Sequence, residues 1–527
     1  MNKFNHNVLN ITVVYFGIIS LGLSQPLFNV VELFQREFQN SLTGLILIVI
    51  CFQYVVTGLL VLFRLILGKW GEKFDYVVYL GALISLLRQL QINYLETEFL
   101  SPSQKTGVAI VLILGAIVAI LLFKRVIDQF SYFLGMVSPI LGIYFVITMM
   151  PHVAIGDTRT VDQINSAPTP SNPPIIFIVL DELSLPLLLN NEGDIDKSKY
   201  PNFYALAHES VWFRQAISNY PSSSLSFPSF LTGRLNLNKN DMKFPQDVET
   251  LPPTSLPRFL IKKGYNVSIL TDFFGCKGKD FECPRYLSDQ KFNFIWRIFS
   301  KFVQEFGPDY LVDRYLPFLH GGLLNFQYES VLHVAKTAKS DTFYLVHLLT
   351  THAPYVFAET GDYLYSPDLK MGTGANYSNT LLNYKKQVTY QDKQLGKLIE
   401  SFKKSGLYEK AVIAIIADHG NCWTAKCPGR VYPSQIRTIE PSLPKIPVFI
   451  RAPGLKPRVD DGDFQLIDIM PTIIDAAGFS AGELTGIDGR SALLGIETTR
   501  PRNFILQSSG ESVDVGLPVR RIIVKSE

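Results

Sequence analysis

The sequence predicts a two-part molecule: an N-terminal multi-span α-helical membrane region, then a C-terminal α/β domain with a mainly parallel sheet sandwiched by helices. Three observations predict it. The chain is 47% hydrophobic over 527 residues, and the excess sits in the first third. After Pro174, short apolar runs alternate with segments of helical spacing. One of those runs, Ala411–Gly420 (AVIAIIADHG), ends in an acid and an imidazole side by side.

The membrane region comes first. A span needs about 20 mostly apolar residues. Thr43–Phe63, Val108–Phe123 and Phe130–Met150 meet that need, and Val8–Val30 is a fourth candidate. Tyr76–Leu95 is the weakest, because it carries Arg88, Gln89, Gln91 and Asn93. With five spans, the basic loops at Arg64, Lys69 and Lys73 and at Lys124 and Arg125 place the N-terminus in the cytoplasm. Everything after Met150 then lies outside, in the periplasm or extracellular space. Lys3 alone is a poor n-region for a signal peptide.

Domain boundaries follow. Residues 1–152 form the transmembrane domain. Residues 153–174, rich in Pro, Ser, Thr and Asn, form a linker, and residues 175–527 form the extracytoplasmic domain. Within that domain, Ile175–Leu180 is the leading strand and Asn202–Glu209 a helix. Leu256–Lys263 is a helix, and Asn266–Leu270 and Thr342–His347 are strands. Tyr384–Ser405 is a helix, the run to Ala417 a strand, Pro447–Arg451 a strand and Asp468–Gly478 a helix.

Charge and cysteines bound the partners. The net charge of +3 from 49 basic and 46 acidic residues argues for no polyanion. No basic stripe or zinc-finger spacing points to nucleic acid. Cys51 lies in a span, and Cys276/Cys283 and Cys422/Cys427 fall as two close pairs. Short loops closed by disulfides suit an oxidising compartment. A four-thiolate zinc site is the rival, and the absence of CxxC spacing counts against it.

Chemistry-bearing residues follow several of these apolar runs. IIFIVL leads into Asp181 and Glu182. NYPSSSLSFPSFLTGR holds Ser222, Ser223 and Ser224. TFYLVHLLTTHAPY holds His347 and His352, and AVIAIIADHG ends at Asp418 and His419. Acids, a hydroxyl and imidazoles at one sheet edge suit metal-assisted nucleophilic substitution. Each element also has a blander reading. Asp418 and His419 fit a turn pair, Asp181 and Glu182 fit a helix cap, and His347 in an apolar strand fits a packing role.

The pieces VLDE, serine-to-LTGR, HLLTTHAPY, VTYQDKQLGKLIESF, ADHG, IPVFIRAPG and LIDIMPTIIDAAG stand in order over residues 175–500. This stretch resembles the alkaline phosphatase/sulfatase superfamily. With the expected spans it also resembles the membrane-anchored phosphoethanolamine transferases and lipoteichoic acid synthases. The resemblance implies an alkaline phosphatase-like fold. It implies metal ligation by Asp181, Asp418 and His419, with Glu182 a second acidic ligand or a replacement for Asp181. Family spacing from Thr232 and from Pro228 lands on Ser223 as the nucleophile, itself a metal ligand. His352 matches the residue that touches the transferred or leaving group, and His347 matches a second histidine on the substrate side. One divalent ion is implied, zinc or manganese first, calcium or magnesium next. The implied reaction moves a phosphoethanolamine- or phosphoglycerol-type headgroup from a membrane lipid donor to a glycan or glycolipid acceptor. The alternative is a membrane-anchored sulfatase or phosphodiesterase. Sulfatases mature a Cys or Ser within C/S-x-P/A-S-R to formylglycine. Leu225 and Phe227 stand where that signal has its Pro or Ala and its Arg.

Overall fold

The computed structural model describes residues 8–19, 56–94, parts of 115–137, 172–235, 251–271, 281–282, parts of 321–364, 377–422, 439–494, 500–506 and 512–515. The chain divides into two compact units, Met1–Asp162 and Gln163–Glu527.

The first unit corrects the expected membrane region. Among the described residues, no helix is long and apolar enough to cross a membrane. Helix α1 is described over Val56–Ile66. Helix α2, Gly71–Tyr94, has 24 residues. It has the length, but Glu72, Lys73, Asp75 and Arg88 break its apolar run. Its polar groups are used inside the unit. Buried Asp75 accepts from the Tyr15 hydroxyl at 2.6 Å and from Arg64 Nε at 2.7 Å. The segments Thr43–Phe63, Val108–Phe123, Phe130–Met150 and Val8–Val30 fall partly or wholly outside the described residues. The multi-pass topology, and the extracytoplasmic placement derived from it, are set aside.

The second unit is built on an eight-stranded sheet. Its strands are β1 Ile175–Leu180, β2 Val211–Phe213, β3 Asn266–Leu270, β4 Phe281–Glu282, β5 Thr342–Leu348, β6 Val412–Ala417, β7 Val448–Arg451 and β8 Arg458–Asp460. Their order across the sheet is β4-β3-β5-β1-β6-β7-β2-β8. The expected mainly parallel sheet is mixed: β1, β5, β6, β3 and β4 pair in parallel, as do β2 and β8. β7 runs antiparallel to both β6 and β2. The strand β7 offers four residues, VFIR, whose apolar content is the same for either direction of travel. Only the connection decides direction, and sequence pattern does not report it.

The centre of the sheet explains the apolar runs. β1 pairs in parallel with β5 on one side and β6 on the other, and every residue of β1 and β6 is buried. Strands covered on both faces have no solvent side to alternate toward, so they read as IIFIVL and VIAIIA. Each such Ile or Phe contributes roughly 1.5–3 kcal/mol on burial.

Helices α3 Pro201–Glu209, α4 Ser223–Thr232, α5 Leu256–Lys262, α6 Tyr377–Lys404, α7 Leu407–Lys410 and α8 Ile469–Ala476 complete the framework. For the site, α4 matters most. Its Phe230 ring packs edge-on against Phe177 of β1, with centroids 5.6 Å apart. That contact seats the helix against the middle strand. Gly233, in the left-handed region at φ 66°, ends it. A short pair, β9 Asn503–Ile505 and β10 Ser512–Asp514, is antiparallel.

Candidate active site

The site begins with register. In parallel strands, residues level with one another point to the same face, and the face repeats every second residue. Val179 of β1 is level with His347 of β5 and Ile416 of β6. Two residues on, β1 leads to Asp181 and β6 to Asp418. So Asp181, Asp418 and His347 belong to one face at the carboxyl ends of three adjacent strands. The geometry agrees. One ligand atom from each of the three lies within 4.8 Å of those of the others, and all three residues are buried.

Helix α4 brings a hydroxyl to this point. Ser223 is its first residue, with Ser222 at the cap. Ser223 Oγ lies 3.5 and 3.4 Å from the two Asp181 carboxylate oxygens and 3.2 Å from His419 Nε2. A helix start directs free backbone N–H groups and a partial positive charge at this region, which favours anions. Phe227, one turn along α4, sets its ring edge-on to the His347 imidazole at 4.8 Å. One short helix thus delivers the hydroxyl and braces an imidazole.

Hydrogen bonds fix which atoms face inward. His419 Nδ1 donates to the Gly420 carbonyl at 2.7 Å. A carbonyl only accepts, so the neutral ring keeps its proton on Nδ1 and turns the Nε2 lone pair toward Ser223. Asp418 Oδ1 accepts from two backbone amides, His419 at 2.8 Å and Glu182 at 3.2 Å. Asp418 Oδ2 is buried and, among the described residues, accepts no hydrogen bond. His347 Nε2 stands 3.1 Å from Asp181 Oδ2 and its Nδ1 stands 3.4 Å from Thr271 Oγ1. Backbone supports the loops: Ser218 Oγ donates to the Asp418 carbonyl at 2.8 Å, and Gly420 N to Leu443 O at 2.8 Å.

The two acids are driven apart electrostatically. Burial raises the Asp181 carboxyl, but the charges of His352, His347 and His419 and a hydrogen bond from His347 outweigh it. Its pKa lies well below the usual range. Asp418 is pushed up to about 7, by burial first and by the charge of Asp181 second. Asp418 therefore keeps its proton to higher pH than an ordinary carboxyl, and a cation would displace it.

This donor set fits a divalent cation. Two carboxylates and an imidazole converge, a further imidazole presents Nε2, and one carboxylate oxygen is buried with no donor on it among the described residues.

The sequence-predicted residues divide. Asp181, Ser223, Asp418 and His419 converge as expected. His347, weighed as a packing residue, joins the cation-competent cluster; the parity between His347 and Asp181 was the signal for it. Glu182 is adjacent in sequence, but its carboxylate lies on the Ala353 amide at 3.4 Å and the Tyr355 hydroxyl at 3.3 Å. His352 is half-buried, and its Nδ1 donates to the Ala353 carbonyl at 2.6 Å. Its charge is the largest influence lowering Asp181. Cys422, three residues beyond His419, is disulfide-bonded, and the other four cysteines lie outside the described residues.

The family model "Sulfatase" matches residues 173–479. The endo-4-O-sulfatase of Bacteroides thetaiotaomicron is 25% identical over 379 residues, covering 61% of this chain and 72% of that protein. Lipoteichoic acid synthase 1 of Bacillus subtilis is 26% identical over 136 residues, 25% of this chain and 20% of that one. A solved Bacteroides thetaiotaomicron structure from the metabolism of multiple glycosaminoglycans aligns with TM-score 0.43 at 18% identity, covering 64% of this chain and 80% of that one.

Proposed function

The chain belongs to the sulfatase family, and from that premise we propose that it is a metal-dependent hydrolase of sulfate or phosphate esters with Ser223 as its nucleophile. The observation that carries this reading is the convergence of Ser223 Oγ, His419 Nε2 and the Asp181 carboxylate within 3.5 Å of the hydroxyl.

Asp181, His347, Asp418 and His419 would hold the cation, with zinc or manganese favoured by the mixed nitrogen and oxygen donors. When bound, the ion would lower the pKa of the serine hydroxyl and neutralise charge on the ester oxygens. The residues of this chain do the rest. The start of α4 receives the anionic ester. The Asp181 carboxylate, 3.4 Å from the hydroxyl that donates to it, accepts the Ser223 proton. Ser223 Oγ forms a bond to the central phosphorus or sulfur atom while the bond to the alcohol oxygen breaks. His352 protonates that departing oxygen. Water then attacks the Ser223 ester, releasing the acid and restoring the hydroxyl.

Water is the acceptor we favour over a glycan. Lipid-headgroup transfer drew its support from the membrane spans and the HLLTTHAPY stretch, and the similarity to lipoteichoic acid synthase 1 extends over 25% of the chain. The similarity to the endo-4-O-sulfatase extends over 61%. Between the two esters, Leu225 and Phe227 favour phosphate, because they replace the residues that direct formylglycine formation.

The test is turnover of aryl phosphate, aryl phosphodiester and aryl sulfate substrates by the full chain loaded with manganese or zinc, with mass analysis at Ser223. Ser223→Ala should lower kcat about 10⁴-fold or more while keeping most of the cation-induced stabilisation. Undiminished turnover by Ser223→Ala would remove the nucleophile assignment. Formylglycine at position 223 would shift the reading to sulfate esters.

A further inference from the structure

Among the described non-glycine residues, only Glu182 and Asp341 stand at positive φ, and Glu182 lies at 67°. A residue with a Cβ persists there when its surroundings over-determine the backbone, and such positions cluster at functional sites. The surroundings are on hand. The Tyr384 hydroxyl donates to the Glu182 carbonyl at 3.0 Å and accepts from Ser184 N at 3.1 Å. Glu182 N donates to Asp418 Oδ1 at 3.2 Å.

The consequence is that two consecutive acids diverge. Asp181 faces Ser223 and His347. Glu182 carries its carboxylate to the turn that follows β5, where Oε2 accepts from Ala353 N at 3.4 Å and from the Tyr355 hydroxyl at 3.3 Å. Asn421 Nδ2 donates to the same Tyr355 oxygen at 3.3 Å. The rings of Tyr355 and Tyr384 pack edge-on at 5.3 Å. His352 sits in that turn, its ring anchored on the Ala353 carbonyl.

We propose that Glu182 is a positioning residue: by holding Ala353 and Tyr355 it fixes the turn from which His352 meets the departing oxygen, and it does not ligate the cation. The inference rests on the role given to His352 above. It ties the loop after β6, through Asn421 and Tyr355, to the loop after β5, so that acid and metal cluster share one frame.

The experiment uses the full chain with manganese and four variants: Glu182→Gln, Glu182→Ala, Tyr355→Phe and His352→Ala. Glu182→Gln keeps an oxygen for both donors, so it should retain the manganese-induced rise in thermal midpoint and most of kcat. Glu182→Ala should lose about tenfold to a hundredfold in kcat, in line with a small misplacement of a reacting group, and still respond to manganese. Added to His352→Ala, neither Glu182→Ala nor Tyr355→Phe should cost anything more. Tyr355→Phe carries the same expectation should Glu182→Ala fail to fold. Loss of the manganese response in Glu182→Gln would make Glu182 a ligand and overturn the proposal. Losses that multiply with His352→Ala would overturn it as well, leaving the wider reading intact. Undiminished kcat in His352→Ala would overturn the role of His352, and the present inference with it.

Discussion

Replacing Asp418 by Asn should stabilise the metal-free protein at high pH and abolish its response to metal. The folded state holds the Asp418 proton up to about 7, against an ordinary value of 3.8. At about 1.36 kcal/mol per pH unit, that difference is about 4 kcal/mol as an upper figure. The sign follows from linkage. The raised value stabilises the fold fully below pH ~4, and the contribution is lost as pH rises through ~7. At pH 8 in chelator the wild-type chain has lost it, because Asp418 must ionise beside Asp181. Asn has no proton to lose, and its Oδ1 can keep the amides of His419 and Glu182 that Asp418 now holds. The variant should therefore exceed wild type by up to about 4 kcal/mol at pH 8 and match it near pH 4. With a divalent ion at 100 times its Kd, wild type gains about 2.7 kcal/mol and the variant gains little. The assay is urea unfolding at both pH values, with chelator and with manganese. The reasoning is refuted if the variant is the less stable chain at pH 8 in chelator, or if it keeps the manganese gain.

Two further changes probe the same frame. His347→Gln removes a nitrogen donor from the three-residue cluster, and calorimetric titration should show cation affinity at least about tenfold weaker, with little change in chelator. Gly420→Ala would place a Cβ 2.0 Å from the Ser442 carbonyl and 2.7 Å from Ser184 Oγ. The loop after β6 must shift, so we expect about 1–3 kcal/mol of destabilisation together with a fall in kcat; unchanged kinetics would mean that the loop relaxes without moving His419.

The legible parts of the sequence were those where one physical cause dominates. Complete burial of β1 and β6 leaves an uninterrupted apolar run, and the residues after it must be polar, so Asp181, Asp418 and His419 were readable. The seat of Ser223 was readable only by its spacing from Thr232 and Pro228, because SSSLSFPS reads locally as loop. In the fold, a helix starts there with Ser222 at its N-cap position, and Phe227 and Phe230 are buried along it. The direction of β7 and the three-residue strands β2 and β8 were hidden, since pairing partners distant in sequence decide them. The left-handed backbone of Glu182 was hidden because adjacency to Asp181 says nothing about φ. Among the described residues the span reading fails at Gly71–Tyr94, where charged residues interrupt a helix of sufficient length.

The level alignment of Val179, His347 and Ile416 makes this candidate site a matter of odd and even. Inserting or deleting one residue in β5 would leave a perfectly acceptable greasy ribbon, yet it would aim the imidazole at the opposite layer of the domain. A two-residue shift would restore the aim but slide the ring about 7 Å along the strand. One aliphatic side chain inside these strands can thus be exchanged for another at small cost, whereas a change in their length re-aims the polar residues at their tips.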